Sequence, residues 1–595
     1  MTTGFFVQNS STLRIGNELI EFIGVTKSPP YKFTGCKRGL NGTKASAYKA
    51  DNKAYHLKEM FGLYVPDPET KLFKEIAHRT AEVVNEADFD GIYLDAIDGS
   101  SILDPEHWYY STQFVAEIAK HLKRPVGMEM SAMEHHWWHY RSRWQALDAP
   151  HRGYKRFIDS HSDAINAGYL LPLHLGWWQN FTWDPPQTEP TFTDDIEYIG
   201  CKMIGNNAGL SMLRGVDKKM LDENPSFRRL NTIIRQYEEL RHKNYFGEDV
   251  KKLLRQPGKE FTLFKDGDSS WNFKPVVYQK HKVAGLDHPS ARWTVNNEFD
   301  SQPVRLRIES LLSVKPYNDP ANVVLADFSG PEEFSNEETA NGVSGGINSS
   351  TEKAVSGEAG GVFSALSSGV SPSNGSWIRM EKKFEPWLNL IKNQALGVWI
   401  KGDGKGELLN FRIESPDHLS YGARGDHYVK IDFMGWKYFE LVEIESAEFS
   451  NYTWPEDDMY NTYRNPVQFN NVDKLQLWYN NLPAGKEVSV VLGPVKAIPT
   501  ISGIIENPSI TIGGEKIAFP VRMESGMYLE FLSFSDCKLY GSKGELLKEV
   551  TPIGVIPNIV NGQNEISFSG DGYGFGAVNA RVQVTVIGEG KPLAN

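Results

Sequence analysis

The sequence predicts an α/β chain: a (β/α)8 barrel of the TIM type, short of its first strands, followed by all-β sandwich and jelly-roll modules. Two changes of rhythm predict it. Between residues 56 and 250, strand, loop and helix recur in that order, as in a parallel sheet with crossover helices. Beyond residue 250 the helical spacing stops and short runs alternate with period two, as antiparallel strands do. Length agrees, since 595 residues exceed a single core of roughly 100–200.

Composition narrows the partners. With 63 basic against 75 acidic side chains the net charge is −12, which argues against nucleic acid, whose phosphates need a basic face. Hydrophobic residues make up 40% and aromatic residues 12%, enough for packed cores. Cys36, Cys201 and Cys537 are far apart and form neither a zinc pair nor a disulfide framework.

Residues 1–55 read as a small β subdomain, punctuated by Lys27–Tyr31 and the RGLNGT turn at Arg38–Thr43. The chain opens without a basic and apolar leader, and no apolar run reaches the ~18–20 residues of a membrane span. It enters at once into what reads as the middle of a β unit, so upstream sequence is expected. With it comes an expected periplasmic, cell-surface or secreted location.

The barrel is expected over 56–250. Its strands are Met60–Asp67, Phe89–Gly99, Arg124–Ala132, Leu170–Trp178 and one within Ile196–Met212; its helices include Glu69–Ala87, Ser111–Leu122 and Pro225–Phe246. About five of eight strands are legible. No GxGxxG or GxxxxGKS loop follows any of them, which removes the usual nucleotide sites. Behind the barrel we expect a sandwich over 251–318, a jelly-roll module over 319–499 and a C-terminal sandwich over 500–595. The Gly/Ser-rich stretch Asn341–Ser376 reads as a linker or long loops.

The chemistry concentrates at strand ends. GIYLDAIDG ends in Asp95 and Asp98, and one βα unit later GMEMSA carries Glu129. Neighbouring barrel strand ends face one pocket, and glycoside hydrolysis needs such a carboxylate pair, one to protonate the leaving oxygen and one to attack or activate water. Asp95 is expected as nucleophile or base and Glu129 as general acid. Helix capping or an Asx turn is the structural alternative for both aspartates.

Residues 107–183 hold eight of the 15 histidines and seven of the 15 tryptophans. Sugar rings stack their C–H faces on aromatics and offer hydroxyls to polar groups. Tyr93, His135, His136, Arg143, His174, Trp177, Trp178 and Asn206 are therefore candidates for substrate binding, with one of each adjacent tryptophan pair expected in the core. His135 and His139 stand i, i+4 as if on one helix face, but HExxH is not met, and no metal site is expected. GVSGG (Gly342–Gly346) lacks a nucleophile-elbow context. No cofactor is expected, and a structural calcium in a β module stays open, as does the oligomeric state.

The run from HLKEMFGLYVPD through GIYLDAIDG, GMEMSAMEHHWWHYRSRW and LPLHLGWW resembles bacterial (β/α)8 glycoside hydrolases of polysaccharide degradation. It is broadly similar to the α-galactosidase-like barrels, in which a strand ending Y-x-D carries the nucleophile. Tyr93-Leu94-Asp95 occupies that pattern, whereas Glu129 departs from it, because those families use a later aspartate. LGVWIKGDGKGELLNFRIE and HYVKIDFMGWKYFELVE resemble galactose-binding-like jelly rolls that serve as carbohydrate-binding modules. The resemblance implies a carbohydrate substrate. Two alternatives stand beside hydrolysis. One is a polysaccharide lyase, with His135, His136 or Tyr140 as base and Arg141 or Arg143 neutralising a uronate; the other is a non-catalytic glycan-binding surface protein.

Overall fold

A computed structural model describes residues 10–60, 63–95, 97, 102–103, 106–131, 136–143, 152–162, 171–214, 216–267, 270–330, 333–370, 375–416, 423–445, 465–571 and 579–593. The chain divides into two compact units. Unit 1 is Met1–Ala146 with Ala167–His174 and Asp417–Gly422; unit 2 is Leu147–Asn166, Leu175–Pro416 and Ala423–Asn595.

In unit 1, Thr12–Ile15 pairs antiparallel with Glu18–Glu21 and with Ala54–His56, over a small core of Leu13, Ile20 and Phe22. The expected turn at Arg38–Thr43 is present, with Gly39 left-handed at φ 68°. It is held by buried Glu18, which accepts from Arg38 Nε at 2.5 Å and Nη2 at 2.6 Å. The strand expected at Met60–Asp67 is instead a tight hairpin of Glu59–Met60 and Leu63–Tyr64. Then follow α1 (Lys71–Ala87), β1 (Gly91–Leu94), α2 (His107–His121) and β2 (Gly127–Met130). β1 and β2 are parallel, the expected βαβ unit.

Unit 2 contains β3, which spans His174–Gln179 and begins at the unit boundary, α3 (Thr193–Asn206), β4 (Gly209–Arg214), α4 (Pro225–His242) and α5 (Glu248–Arg255). β3 and β4 form a two-stranded sheet. Among the described residues no closed eight-stranded barrel forms, which corrects the barrel expectation to two short βα segments. The range Ile196–Met212 does hold the start of a strand, β4 from Gly209, but most of it is α3. Its residues are buried on nearly every side, so no apolar stripe marks it as a helix. Its ends do, through the Asp195 carboxylate accepting from Phe192 N–H at 2.9 Å and left-handed Asn207 at φ 49°.

The helices after residue 190 pack on strands, not on a barrel. Cys201, Ile204, Tyr237, Leu240 and Leu254 share a core with Phe261 and Phe273 of β5 (Glu260–Asp266) and β6 (Ser270–Val283). The stretches expected as two sandwiches, 251–318 and 500–595, form one. A seven-stranded sheet joins β5, β6 and Arg305–Ser310 to Tyr528–Ser533, Asp536–Tyr540, Leu546–Glu549 and Val582–Glu589. A six-stranded sheet likewise joins Arg292–Asn297 to strands after residue 503, and one core lies between the two.

The 319–499 module is inserted into this host. β7 (Leu312–Val314) enters it, and Thr500–Ser502 returns from it, paired antiparallel with Val314 opposite Thr500. The module is two facing sheets over a single core, as a jelly-roll-like sandwich requires. One sheet has five strands: β8 (Asn336–Thr339), β9 (Trp377–Leu388), β10 (Leu408–Ser415), β11 (Ala423–Lys430) and β12 (Val472–Asn480). The stretch expected as a linker pairs as a hairpin, Val343–Lys353 with Ala359–Ser367. Its glycines permit close packing, since a Cβ on Gly361 would lie 2.7 Å from the Phe328 ring. Among the described residues no helix is long and apolar enough to cross a membrane.

Module and host are joined by charge as well as by chain. Arg581 of the host donates Nη1 and Nη2 to the two carboxylate oxygens of Glu443, each at 2.9 Å, and both groups are nearly buried. Lys282 also reaches Glu443 at 3.3 Å, so removing Glu443 strands the buried Arg581 guanidinium, whereas removing Arg581 leaves Glu443 one cation. Glu443→Gln is expected to destabilise unit 2 by about 3–5 kcal/mol in chemical denaturation, and the double change Glu443→Leu/Arg581→Met by much less. Equal losses in the two variants would contradict this account.

Candidate functional site

The site grows from the period of the parallel pair. Gly91, Ile92, Tyr93 and Leu94 stand opposite Gly127, Met128, Glu129 and Met130. α1 offers an apolar stripe of Phe73, Ala77, Ala81 and Val84, and α2 offers Val115 and Ile118. Met128 and Met130 are buried in that helix core, with Ile92 and Leu94 packed on it. Because successive strand residues point to opposite faces, Tyr93 and Glu129 share the other face.

Asp95 follows Leu94 in the turn and is exposed. It stands two residues beyond the level of Glu129, about 6–7 Å further along the strand direction. Asp95 and Tyr93 border an open cleft of about 410 Å³ whose wall includes Leu63, Tyr64, Ile97, Leu103, Tyr110 and Phe114.

Glu129 is 5% exposed. Arg143 directs both Nε and Nη2 at its Oε2, while its buried Oε1 has no hydrogen-bond partner. His174 Nδ1 lies 4.0 Å from Oε1. The clamp is set by the backbone: Ser142 N–H donates to the Met128 carbonyl and Met128 N–H to Ser142 Oγ, both at 2.7 Å, so the following residue is delivered to the strand face. Arg141, buried as well, has its guanidinium pKa pushed down by burial against the opposing pull of Glu129. Burial first and the Arg143 charge second bring the His174 pKa down to about 4, so the ring is neutral at pH 7.

Five of the expected site residues, Tyr93, Asp95, Glu129, Arg143 and His174, thus belong to one neighbourhood of unit 1. His136 is left-handed at φ 65°, with its ring 5.9 Å from Trp108. Residues 136–143 form turns, so His139 does not sit on the expected helix. The turns are anchored by Trp137, which is fully buried beneath α1 and α2. Trp177 is half-buried. Trp178 is core, with its indole N–H on the Leu175 carbonyl at 2.7 Å and its ring edge-on to Tyr154 at 5.1 Å, which removes it from substrate contact. Asn206 donates to the Lys202 carbonyl at 2.9 Å at the end of α3. It therefore precedes β4 instead of following a strand. Asp98 and His135 lie outside the described residues.

A second polar constellation was not anticipated. On the five-stranded sheet of the module, the face opposite the core carries cross-strand rows: Glu338, Arg379, Trp478, Asn410 and Tyr428 in one, Glu381, Gln476, Arg412 and Asp426 in the next. Arg412 Nε donates to Asp426 at 2.8 Å, Gln476 to Glu381 at 2.8 Å and the Trp478 indole to Gln476 at 3.0 Å. The Arg412 guanidinium lies 4.9 Å from the Trp478 ring centre. Most of these groups are buried. Strict alternation of polar with apolar residues in LLNFRIES and KLQLWYN was the signal available for them.

No protein-family model matches the chain. A mannan endo-1,4-beta-mannosidase of Bifidobacterium adolescentis is 33% identical over 85 residues, 14% of this chain and 8% of that protein. Among solved structures, the family 11 carbohydrate-binding module of cellulosomal cellulase Lic26A-Cel5E of Clostridium thermocellum is 17% identical, covering 30% of this chain and 95% of that chain with TM-score 0.22. An exo-beta-agarase is 14% identical over 30% of this chain and 25% of that chain, TM-score 0.20. The mannan-recognising module TmCBM27 is 14% identical over 30% and 98%, TM-score 0.18. The chain is thus similar over limited stretches to carbohydrate-active and carbohydrate-binding proteins; TM-scores this low define no common fold.

The buried neutral state of His174 gives a pH signature. Its pKa is lowered from 6.5 to about 4 on folding, so between these values the unfolded chain binds a proton that the folded site refuses. Its stabilising contribution is full above about pH 6.5 and is lost as pH falls through about 4. Wild type is expected to lose on the order of 2 kcal/mol more than His174→Gln over that interval. Denaturant curves that fall in parallel for the two proteins would refute this.

Proposed function

We propose that the chain is a glycoside hydrolase acting on a poly- or oligosaccharide, with Asp95 and Glu129 as its paired carboxylates. The observation that carries the reading is Glu129. It is a buried carboxylate on the chemistry-bearing face of β2, with one oxygen clamped by Arg143 and the other without a hydrogen-bond partner, one strand away from the exposed Asp95.

The clamp argues for exchanging the roles read from the sequence. With Arg143 held at Oε2, the Oε1 of Glu129 is the oxygen left for attack on the anomeric carbon or activation of water. Asp95, at the open strand end beside the cleft, then protonates the leaving oxygen. Tyr64, Tyr93 and Tyr110 in the cleft wall supply ring faces for sugar C–H surfaces. The similarity to a mannan endo-1,4-beta-mannosidase over 85 residues makes β-mannan the first substrate to try. Arg143, spent on Glu129, is poorly placed to neutralise a uronate, which weakens the lyase alternative. Glycan binding without turnover is the second reading, favoured by the absence of a closed barrel among the described residues.

Incubation with mannan and a panel of plant, algal and host glycans, followed by reducing-end and mass measurement, tests the assignment. Asp95→Asn and Glu129→Gln are each expected to lower kcat by about 10²–10⁴-fold with circular dichroism unchanged. Full activity in both variants would sink the pair. Saturable glycan binding with no product would establish the second reading, and an ultraviolet-absorbing unsaturated product would establish a lyase.

A further inference from the structure

We propose that α1 and α2 together form a binding site for one divalent transition-metal ion of the zinc class, with His78, Glu117 and His121 as ligands. The site is separate from the carboxylate pair and does not rest on the hydrolase reading. One nitrogen from each histidine and one oxygen of Glu117 lie within 4.8 Å of one another. Glu117 and His121 stand i, i+4 on α2, so one helix face presents both; His78 reaches across from α1.

The distances suit an ion. His78 Nε2 is 2.7 Å from Glu117 Oε1, and the three ligand atoms all lie within 4.8 Å of one another. Tetrahedral zinc with bonds near 2.0–2.1 Å separates its ligand atoms by about 3.4 Å, inside that range. The two imidazole centres are 3.8 Å apart, so both rings occupy one patch of the α1–α2 surface. His121 Nδ1 donates to the Glu117 backbone carbonyl at 2.8 Å, since a carbonyl only accepts. That bond fixes the tautomer and leaves the Nε2 lone pair for a metal, as backbone carbonyls do for ligating histidines elsewhere. Lys120 Nζ is 3.7 Å from Glu117 but largely exposed, free to turn into solvent.

Two imidazoles and a carboxylate select zinc or cobalt over magnesium or calcium, which demand oxygen cages. An ion here ties α1 to α2, the two helices whose apolar stripes bury one face of the β1–β2 pair. It would stabilise the scaffold of Asp95 and Glu129 without touching either.

Titration of the full chain with ZnCl2 in a calorimeter, alongside CoCl2 followed by visible absorption, tests the site. Expected are one ion per chain at micromolar affinity, tetrahedral cobalt bands, and an unfolding midpoint raised by several degrees at zinc about 100-fold above Kd. MgCl2 and CaCl2 should give no saturable heat. The double variant His78→Ala/His121→Ala should lose binding and the midpoint shift together. The single changes His78→Asn and His121→Asn keep polar side chains at these helix positions and should each weaken binding severalfold. No saturable zinc binding by wild type, or undiminished binding in the histidine variants, overturns the proposal.

Discussion

A single register between two four-residue strands decides which side chains of unit 1 are core and which are available for chemistry. With Tyr93 opposite Glu129, the flanking Ile92, Leu94, Met128 and Met130 all fall on the helix side. A slip of one residue would drive Tyr93 and a charged glutamate into that core and turn the methionines out. The helices hold the register through tight, small-residue contact at Ala77 and Ala81, both fully buried. Trp137 fills the same core from beyond β2 and anchors the turn that presents Arg143. Packing on one face of the sheet therefore fixes the electrostatics on the other.

Unit 2 relies on buried charge in a different way. Asp194, in the first turn of α3, accepts from Lys155 at 2.8 Å and from Arg307 at 2.9 Å, and Lys155 also reaches Glu260 at 2.7 Å. Burial alone would raise its pKa, but the two cations outweigh it and hold the Asp194 carboxyl far below its usual range. The adjacent Asp195 goes the other way, to about 6, pushed up by burial and by Asp194 itself. Two neighbouring carboxylates with cations for only one of them split in this manner. Such pairs add little net stability when compared with apolar packing. They do bind α3, the helix Tyr154–Ser160 and the host sandwich into one arrangement, since any other would strand a charge.

What the sequence revealed follows from the range of the interactions involved. α1 was expected at Glu69–Ala87 and runs Lys71–Ala87, because its apolar stripe is local. The strands carrying Asp95 and Glu129 were legible as apolar runs ending in acid. α3 was not, because its burial on nearly all sides erases periodicity. The insertion of the module was illegible for a related reason. Val314 pairs with Thr500 across the whole inserted segment, and local alternation is the same whether two sandwiches stand in series or one is interrupted. The Arg143 clamp on Glu129 needed the turn geometry around Ser142, which no spacing rule encodes. One tryptophan of the Trp177–Trp178 pair was expected in the core, and burial shows which: Trp178.

Two surfaces of this chain have the mixture of aromatic and hydrogen-bonding groups that sugar recognition requires, and burial separates them. On the module sheet, Arg412, Asp426, Gln476 and Trp478 are at most 2% exposed and spend hydrogen bonds on one another. A glycan reaching that face competes with buried, charge-assisted bonds. The unit 1 cleft asks for no such exchange. Tyr64 and Tyr93 are each 38% exposed, and Asp95 is open to solvent. Exposure therefore favours the cleft beside the parallel strand pair over the module face as the surface open to a ligand.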